Sequence, residues 1–188
     1  DAVVMTRGAE GGLGYDGDLG TITVDLAARS ASATGGHKVL TSSRGTVQLE
    51  SSRYPFCFYR NKGKLDWCST LSVADMFPFN ADLNRLTLVV KGGGKGKIKI
   101  SWGKADKTFD AAELEKGINL AAEFMEDNPF KKEFSKVLTA MGERNRMRGL
   151  LRRPQYKDNA GFKKRLERAL ENMKVKPVKH TLKIEKAG

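Results

Sequence analysis

Alternation between apolar and polar side chains dominates residues 20–102 and returns near the C-terminus. In residues 21–26, Ile22, Val24 and Leu26 share one face while Thr21, Thr23 and Asp25 share the other, as a half-buried antiparallel strand requires. Residues 46–50, 54–59, 86–90 and 97–102 read as further strands, the last with Ile98, Ile100 and Trp102 inward and Lys97 and Lys99 toward water. Residues 178–186 alternate again, with His180, Leu182 and Ile184 on one face, and read as a last strand returning to the sheet. Gly, Ser and Asn clusters separate these runs. The pattern predicts a small antiparallel sandwich rather than a parallel sheet, with the glycines of residues 91–97 supplying the positive φ angles of a hairpin turn.

A helical period takes over after the strands. Asp110 and Glu113 have the spacing of a capping box, and Gly117 suits the end of the short helix it would start. Asn128 and Pro129 suit the cap and first turn of another helix. Phe130, Phe134, Val137, Leu138 and Met141 fall at offsets 0, 4, 7, 8 and 11, and Phe162, Leu166, Ala169, Leu170 and Met173 repeat those offsets. Each set forms one apolar stripe. Arg152-Arg153-Pro154 breaks the first helix, and Asp158 or Asn159 can cap the second. The expected fold class is therefore α+β: an antiparallel β-sandwich-like module followed by an αα-hairpin and a closing C-terminal strand. The expected segments are a helical lead-in over 1–13, the β module over 14–109, a short helix and connector over 110–127, the hairpin over 128–176 and the closing strand over 177–188.

Charge adds an asymmetry that the periodicity does not show. The 188 residues carry 34 Lys and Arg against 22 Asp and Glu, a net charge of +12, and all of the excess lies after Asp127. A basic segment attracts phosphate polymers or anionic surfaces, but Lys163, Lys164, Arg165 and Arg168 lie mostly off the second apolar stripe. They are explained as the solvated side of a packed helix. With 39% hydrophobic and 30% charged residues, the composition excludes collagen-like, disulfide-dense and mostly disordered chains. No apolar run approaches the roughly 20 residues a membrane-spanning helix needs.

Few side chains in the sequence suit catalysis. His37 and His180 belong to no zinc-ligand spacing and read as satisfied strand or turn residues. Cys57 and Cys68 suit either a disulfide closing a loop in an exported protein or two thiols in a reducing compartment. A Gly-x-Gly-x-x-Gly match over residues 12–17 lacks the flanking strand and helix of a dinucleotide site. Residues 91–97 lack the spacing, the Ser or Thr and the helix of a phosphate loop. No serine sits on a sharp glycine turn with an Asp-x-x-His partner. The acids at Asp16 and Asp18, and at Glu123, Glu126 and Asp127, fall in turn or helix-end settings. Residues 144–148 read as a loop that could contact phosphate, but single-strand readers interleave cations with exposed rings. Of the rings in the basic third, Phe130, Phe134 and Phe162 are committed to the stripes.

Several stretches together resemble the C-terminal part of the SGNH (GDSL-type) hydrolases. They are residues 14–25, 52–58, 78–80, 83–91, 114–124, 128–130 and 177–184, in the family's order over nearly the whole chain. The resemblance implies ester hydrolysis through an acyl-serine intermediate, without a metal or other cofactor, on an acylated carbohydrate or lipid-like ester. It places the nucleophilic serine, the oxyanion-hole Gly and Asn and the Asp-x-x-His pair in an upstream catalytic domain. The first 14 residues would then resemble the helix after the catalytic histidine, and the chain would be part of something longer. No catalytic, cofactor-binding or metal-ligating role is thereby carried onto any position here. The chain departs from the family pattern over residues 62–68 and in the Arg-rich stretch 143–151. On this reading the module packs on the catalytic domain, shapes its cleft or holds an extended substrate. Two other classes keep a place: a carbohydrate-binding module using Tyr54, Phe56, Phe58 and Trp67, and a binder of nucleic acid or an anionic surface using the basic third.

Overall fold

Alternation in the sequence becomes alternation in burial. A computed structural model describes residues 16–59 and 70–187 of the chain. In β1 (Asp18–Asp25) Ile22 and Val24 are buried and Thr21, Thr23 and Asp25 half-buried. The same rhythm marks β4 (Thr46–Ser51), β5 (Arg85–Lys91), β6 (Lys97–Trp102) and β9 (Val178–Lys186). Among the described residues four shorter or more exposed strands join them: β2 (Ser30–Ala33), β3 (His37–Ser43), β7 (Ala105–Asp110) and β8 (Ile118–Asn119). They form a four-stranded sheet ordered β2-β1-β5-β8 and a five-stranded sheet ordered β3-β4-β9-β6-β7. Each sheet turns one apolar face inward. Leu19, Ile22, Val24, Leu86, Leu88 and Val90 come from the first, and Val47, Leu49, Ile98, Ile100, Trp102, Leu182 and Ile184 from the second. Each such side chain contributes roughly 1.5–3 kcal/mol by leaving water.

The fold is the expected α+β sandwich with a hairpin and a closing strand. The helices are α1 (Leu71–Met76), α2 (Phe79–Leu83), α3 (Ala111–Lys116), α4 (Leu120–Glu123), α5 (Lys131–Leu151) and α6 (Ala160–Asn172), with a 3-10 turn at Pro154–Tyr156. The capping box forms around α3, where the Asp110 amide donates to Glu113 Oε2 at 3.1 Å. Gly117 ends the helix at φ +103°. Asn159 caps α6, its Oδ1 accepting from the Phe162 amide at 2.9 Å. The chain divides into two compact units: Lys131–Lys176 forms one, and the two sheets with α1 to α4 form the other. Among the described residues no helix is long and apolar enough to cross a membrane.

Several details depart from the sequence pattern. β1 and β5 run parallel, Ile22 facing Leu88 and Val24 facing Val90. A parallel pair needs a long crossover, and residues 26–84 supply one by passing through the other sheet. Residues 91–97 are not a hairpin, because β5 and β6 lie in different sheets; the glycines instead turn the chain from one layer to the next. Residues 54–59 are not a strand. Their backbone groups meet side chains: the Phe56 amide donates to Asn84 Oδ1 at 2.7 Å, and the Tyr59 amide to Thr70 Oγ1 at 2.8 Å. Phe130 precedes α5 and packs in the sandwich core against Tyr54, Trp102 and His180 rather than in the helical stripe. Residues 144–148 are not a loop but part of α5, with Met147 buried. In α6, Ala169 is buried while Leu170, at the edge of its stripe, is exposed.

Candidate functional site

Three asparagines organise the wall of an open cleft of about 470 Å³ beside β5. Asn119, which caps α4, takes the Leu86 and Ala121 amides on Oδ1, both at 3.1 Å, and donates through Nδ2 to the carbonyls of Asn80 and Asn84 at 2.9 and 3.1 Å. Asn84 is 1% exposed. It donates to Asn80 Oδ1 at 2.7 Å and clasps the Phe56 backbone through both atoms of its amide. A side-chain amide offers one acceptor and two donors, so each asparagine can stand in for a strand partner. Arg85 closes the C-terminal end of α2 by donating to the carbonyls of Ala81 at 2.8 Å and Asp82 at 3.0 Å. It reaches the Asp16 carbonyl at 2.7 Å.

The cleft is otherwise apolar, lined by Ala74, Phe77, Pro78, Phe79, Ala81 and Ala122, with Thr87 as a further polar group. Met76 and Phe77 stand out at 73% and 61% exposure. Among its described lining residues the titratable side chain is Arg85. The arrangement suits holding an apolar group near a cation rather than moving a proton.

A second constellation is buried between strands. His37 Nδ1 lies 2.7 Å from Ser51 Oγ, and Ser51 Oγ lies 2.8 Å from His180 Nε2. Trp102 Nε1 donates to His180 Nδ1 at 3.2 Å, and His37 Nε2 lies 3.1 Å from the Leu19 carbonyl. The fixed donor and acceptor at the two ends assign every proton between them. Trp102 donates to His180, His180 through Nε2–H to Ser51, Ser51 through its hydroxyl to His37, and His37 through Nε2–H to Leu19. This single direction uses both imidazoles in their neutral form. Burial is the main reason that His180 is lowered to about 4, with the neighbouring His37 second. His37 is lowered chiefly by burial and also by Arg53, against the Leu19 carbonyl and Asp18, which act the other way.

The network contains a serine between histidines but not the chemistry of a nucleophile. Ser51 is 0% exposed. The group at His180 Nδ1 is a donor, whereas a catalytic base needs an acceptor there to hold its imidazolium. The chain of hydrogen bonds ties β3, β4, β9 and β6 together and joins them to β1 at Leu19. Among the described residues no buried side-chain polar atom lacks a partner.

The remaining candidates from the sequence occupy structural settings. Asp16 Oδ1 accepts from the Asp18 amide at 2.9 Å and Asp18 Oδ1 from the Gly20 amide at 2.8 Å, which makes both turn formers. Glu123 pairs with Lys107 at 3.0 Å. Cys57 is buried, its Sγ 3.4 Å from both the Pro55 carbonyl and Asn128 Oδ1, two acceptors for one S–H. Tyr54 and Phe58 are 3% and 1% exposed, so they cannot form an open stacking row for sugars. Cys68, Trp67, residues 1–13 and most of the Gly-x-Gly-x-x-Gly stretch lie outside the described residues. What the sequence reading missed is the joining of His37, Ser51 and His180. The signal was present: His180 is in phase with Leu182 and Ile184, and Ser51 with Val47 and Leu49, so each puts a polar group on an apolar face.

Fold and site thus define an α+β sandwich protein with an asparagine-braced cleft and a separate basic helical hairpin. No protein-family profile and no curated protein matches the chain. Among solved structures it is similar to a gut microbial diltiazem-metabolizing enzyme, with a TM-score of 0.59 and 17% identity over 90% of this chain. The match spans 50% of that enzyme's chain, and at this identity the likeness is one of fold.

Proposed function

We propose that the chain is the C-terminal accessory region of an SGNH-type ester hydrolase, whose serine and histidine chemistry resides in an upstream domain acting on a carbohydrate or lipid-like ester. The observation that carries this reading is that the same fold makes up half of a longer enzyme chain. The stretches that resemble the family also converge in space. Phe56, Asn80, Asn84 and Asn119 come from four of them and interlock at the cleft, while Tyr54, Phe130 and His180 come from three and pack together. The module's task on this reading is to present the apolar cleft and its exposed Phe77 to the catalytic domain or its substrate.

The isolated chain is expected not to hydrolyse p-nitrophenyl acetate. Turnover abolished by a serine-directed phosphonate that labels this chain would overturn the reading. The coding sequence upstream of Asp1 is expected to contain a Gly-Asp-Ser-like block and an Asp-x-x-His pair in frame, and their absence would leave an independent module.

A further inference from the structure

The hairpin unit Lys131–Lys176 holds fifteen Lys and Arg against five Asp and Glu. Four of the five acids are engaged with other cations: Glu133 with Lys136 at 2.5 Å, Glu143 with Arg165, Asp158 with Lys163 at 3.2 Å, and Glu171 with Lys174 at 2.5 Å. Arg144, Arg146, Arg148, Arg152 and Arg153 take part in none of these pairs. Arg144, Arg148 and Arg152 are four residues apart. The Arg152 amide donates to the Arg148 carbonyl at 3.2 Å, so helical spacing continues through Arg152 and sets the three arginines on one side, their backbone positions rising about 6 Å from one to the next. Arg146, Arg148, Arg152 and Arg153 are exposed, and Arg144 is half-buried, one of its five N–H donors going to Asn145 Oδ1 at 3.2 Å. Like charges at this spacing weaken a helix, so helix stability does not account for the row.

Rows of guanidiniums match rows of oxyanions, which they grip through two parallel N–H bonds each. A single-stranded nucleic acid would also need open rings for stacking, but Tyr156 and Phe162 of this unit face one another at 5.5 Å and are half-buried. An anionic bilayer would need apolar groups beside the cations. The large apolar side chain exposed in this unit, Leu170, is on α6, whereas the arginines are on and just after α5. The geometry points to an acidic polysaccharide as the occupant, its regularly spaced carboxylates or sulfates lying along Arg144, Arg148 and Arg152. Combined with the accessory-region reading, on which this second step rests, it narrows the ester substrate to an acylated acidic glycan.

The test uses the full chain at about 50 mM salt, where charge-driven binding is strong, with fluorescently labelled polygalacturonate, dextran sulfate, neutral dextran, a short duplex DNA, and phosphatidylglycerol vesicles as probes. Binding is expected to polygalacturonate, dextran sulfate or both, their ratio naming the oxyanion, and not to neutral dextran. The triple variant R144Q/R148Q/R152Q is expected to lose about tenfold or more in affinity and to show a shallower salt dependence. A control removing three exposed lysines of the sandwich, K95Q/K97Q/K179Q, is expected to stay within about twofold. Far-UV circular dichroism of the triple variant should be unchanged, since only like charges are removed. The pair R146Q/R153Q provides a second, milder variant, expected to weaken glycan binding less than the triple. Failure to bind either acidic glycan, tighter binding to DNA or vesicles, equal binding to neutral dextran, or equal losses in variant and control would each overturn the proposal. Esterase chemistry upstream is scored separately: its failure removes the narrowing of the ester substrate and leaves glycan binding by the arginine row standing, while failure of glycan binding leaves the accessory-region reading standing.

Discussion

Ser51 is the hinge of the buried relay, because its hydroxyl satisfies His180 with its oxygen and His37 with its hydrogen. Replacing it with alanine strands one buried donor and one buried acceptor, at about 1–3 kcal/mol each. Urea unfolding of Ser51→Ala is expected to show a loss of about 2–6 kcal/mol, and a smaller loss would mean that water or a shifted ring replaces the hydroxyl. The same network sets a pH dependence. Both imidazoles are lowered in the folded chain, His180 to about 4, so the unfolded chain binds more protons between about pH 6.5 and 4. Stability is therefore fully present above the ordinary histidine range and falls as pH drops through it. His180 alone accounts for about 3 kcal/mol by pH 4. Chemical denaturation at a series of pH values checks this, and a flat profile across that window would contradict a neutral relay.

At the level of elements, two devices join strands that the sequence leaves unconnected. Gly35, at φ +66°, lies so close to β1 that an added Cβ would stand 2.2 Å from the Leu19 carbonyl oxygen. Gly35→Ala must displace backbone, and a loss of at least about 2 kcal/mol is expected in thermal or urea unfolding. Asn119 joins β5, α2 and α4 through four hydrogen bonds. Asn119→Ala is expected to destabilise by about 2–4 kcal/mol and to loosen the cleft, which increased amide exchange at Leu86 and Ala121 would report. Both elements were partly readable. The glycine clusters marked turns, and residues 114–124 belonged to the family resemblance. That Asn119 and Asn84 act as backbone partners was not readable, because an asparagine in a turn looks the same whether it caps its own helix or braces a distant segment.

For the whole molecule, the last strand decides whether the five-stranded sheet exists. β9 lies between β4 and β6 and pairs with both. A chain ending at Lys176 would leave two long edges unpaired and deprive Leu49, Ile100 and Trp102 of their neighbours His180, Ile184 and Leu182 in the same sheet. Such a truncation is expected to be insoluble or to lose cooperative unfolding, and a soluble, cooperatively folded product would show that β9 is dispensable. The sequence by itself determined β1, β4, β5, β6 and β9, the caps of α3 and α6, most of the two stripes and the location of the +12, because period, caps and charge are local properties of the chain. It also determined that His180 faces the core, since phase is fixed once a strand is assigned. Only the tertiary structure decided that β1 and β5 run parallel, that residues 91–97 change sheets, that Phe130 joins the sandwich, and that His37, Ser51 and His180 form one relay. Each of these depends on which distant segment lies alongside, a choice made by the packing of whole faces and by the need to pair every buried polar group. The charge excess after Asp127 first read as the solvated side of packed helices. With four of the hairpin's five acids assigned to other partners, part of it resolves into a row of arginines on and just beyond one helix.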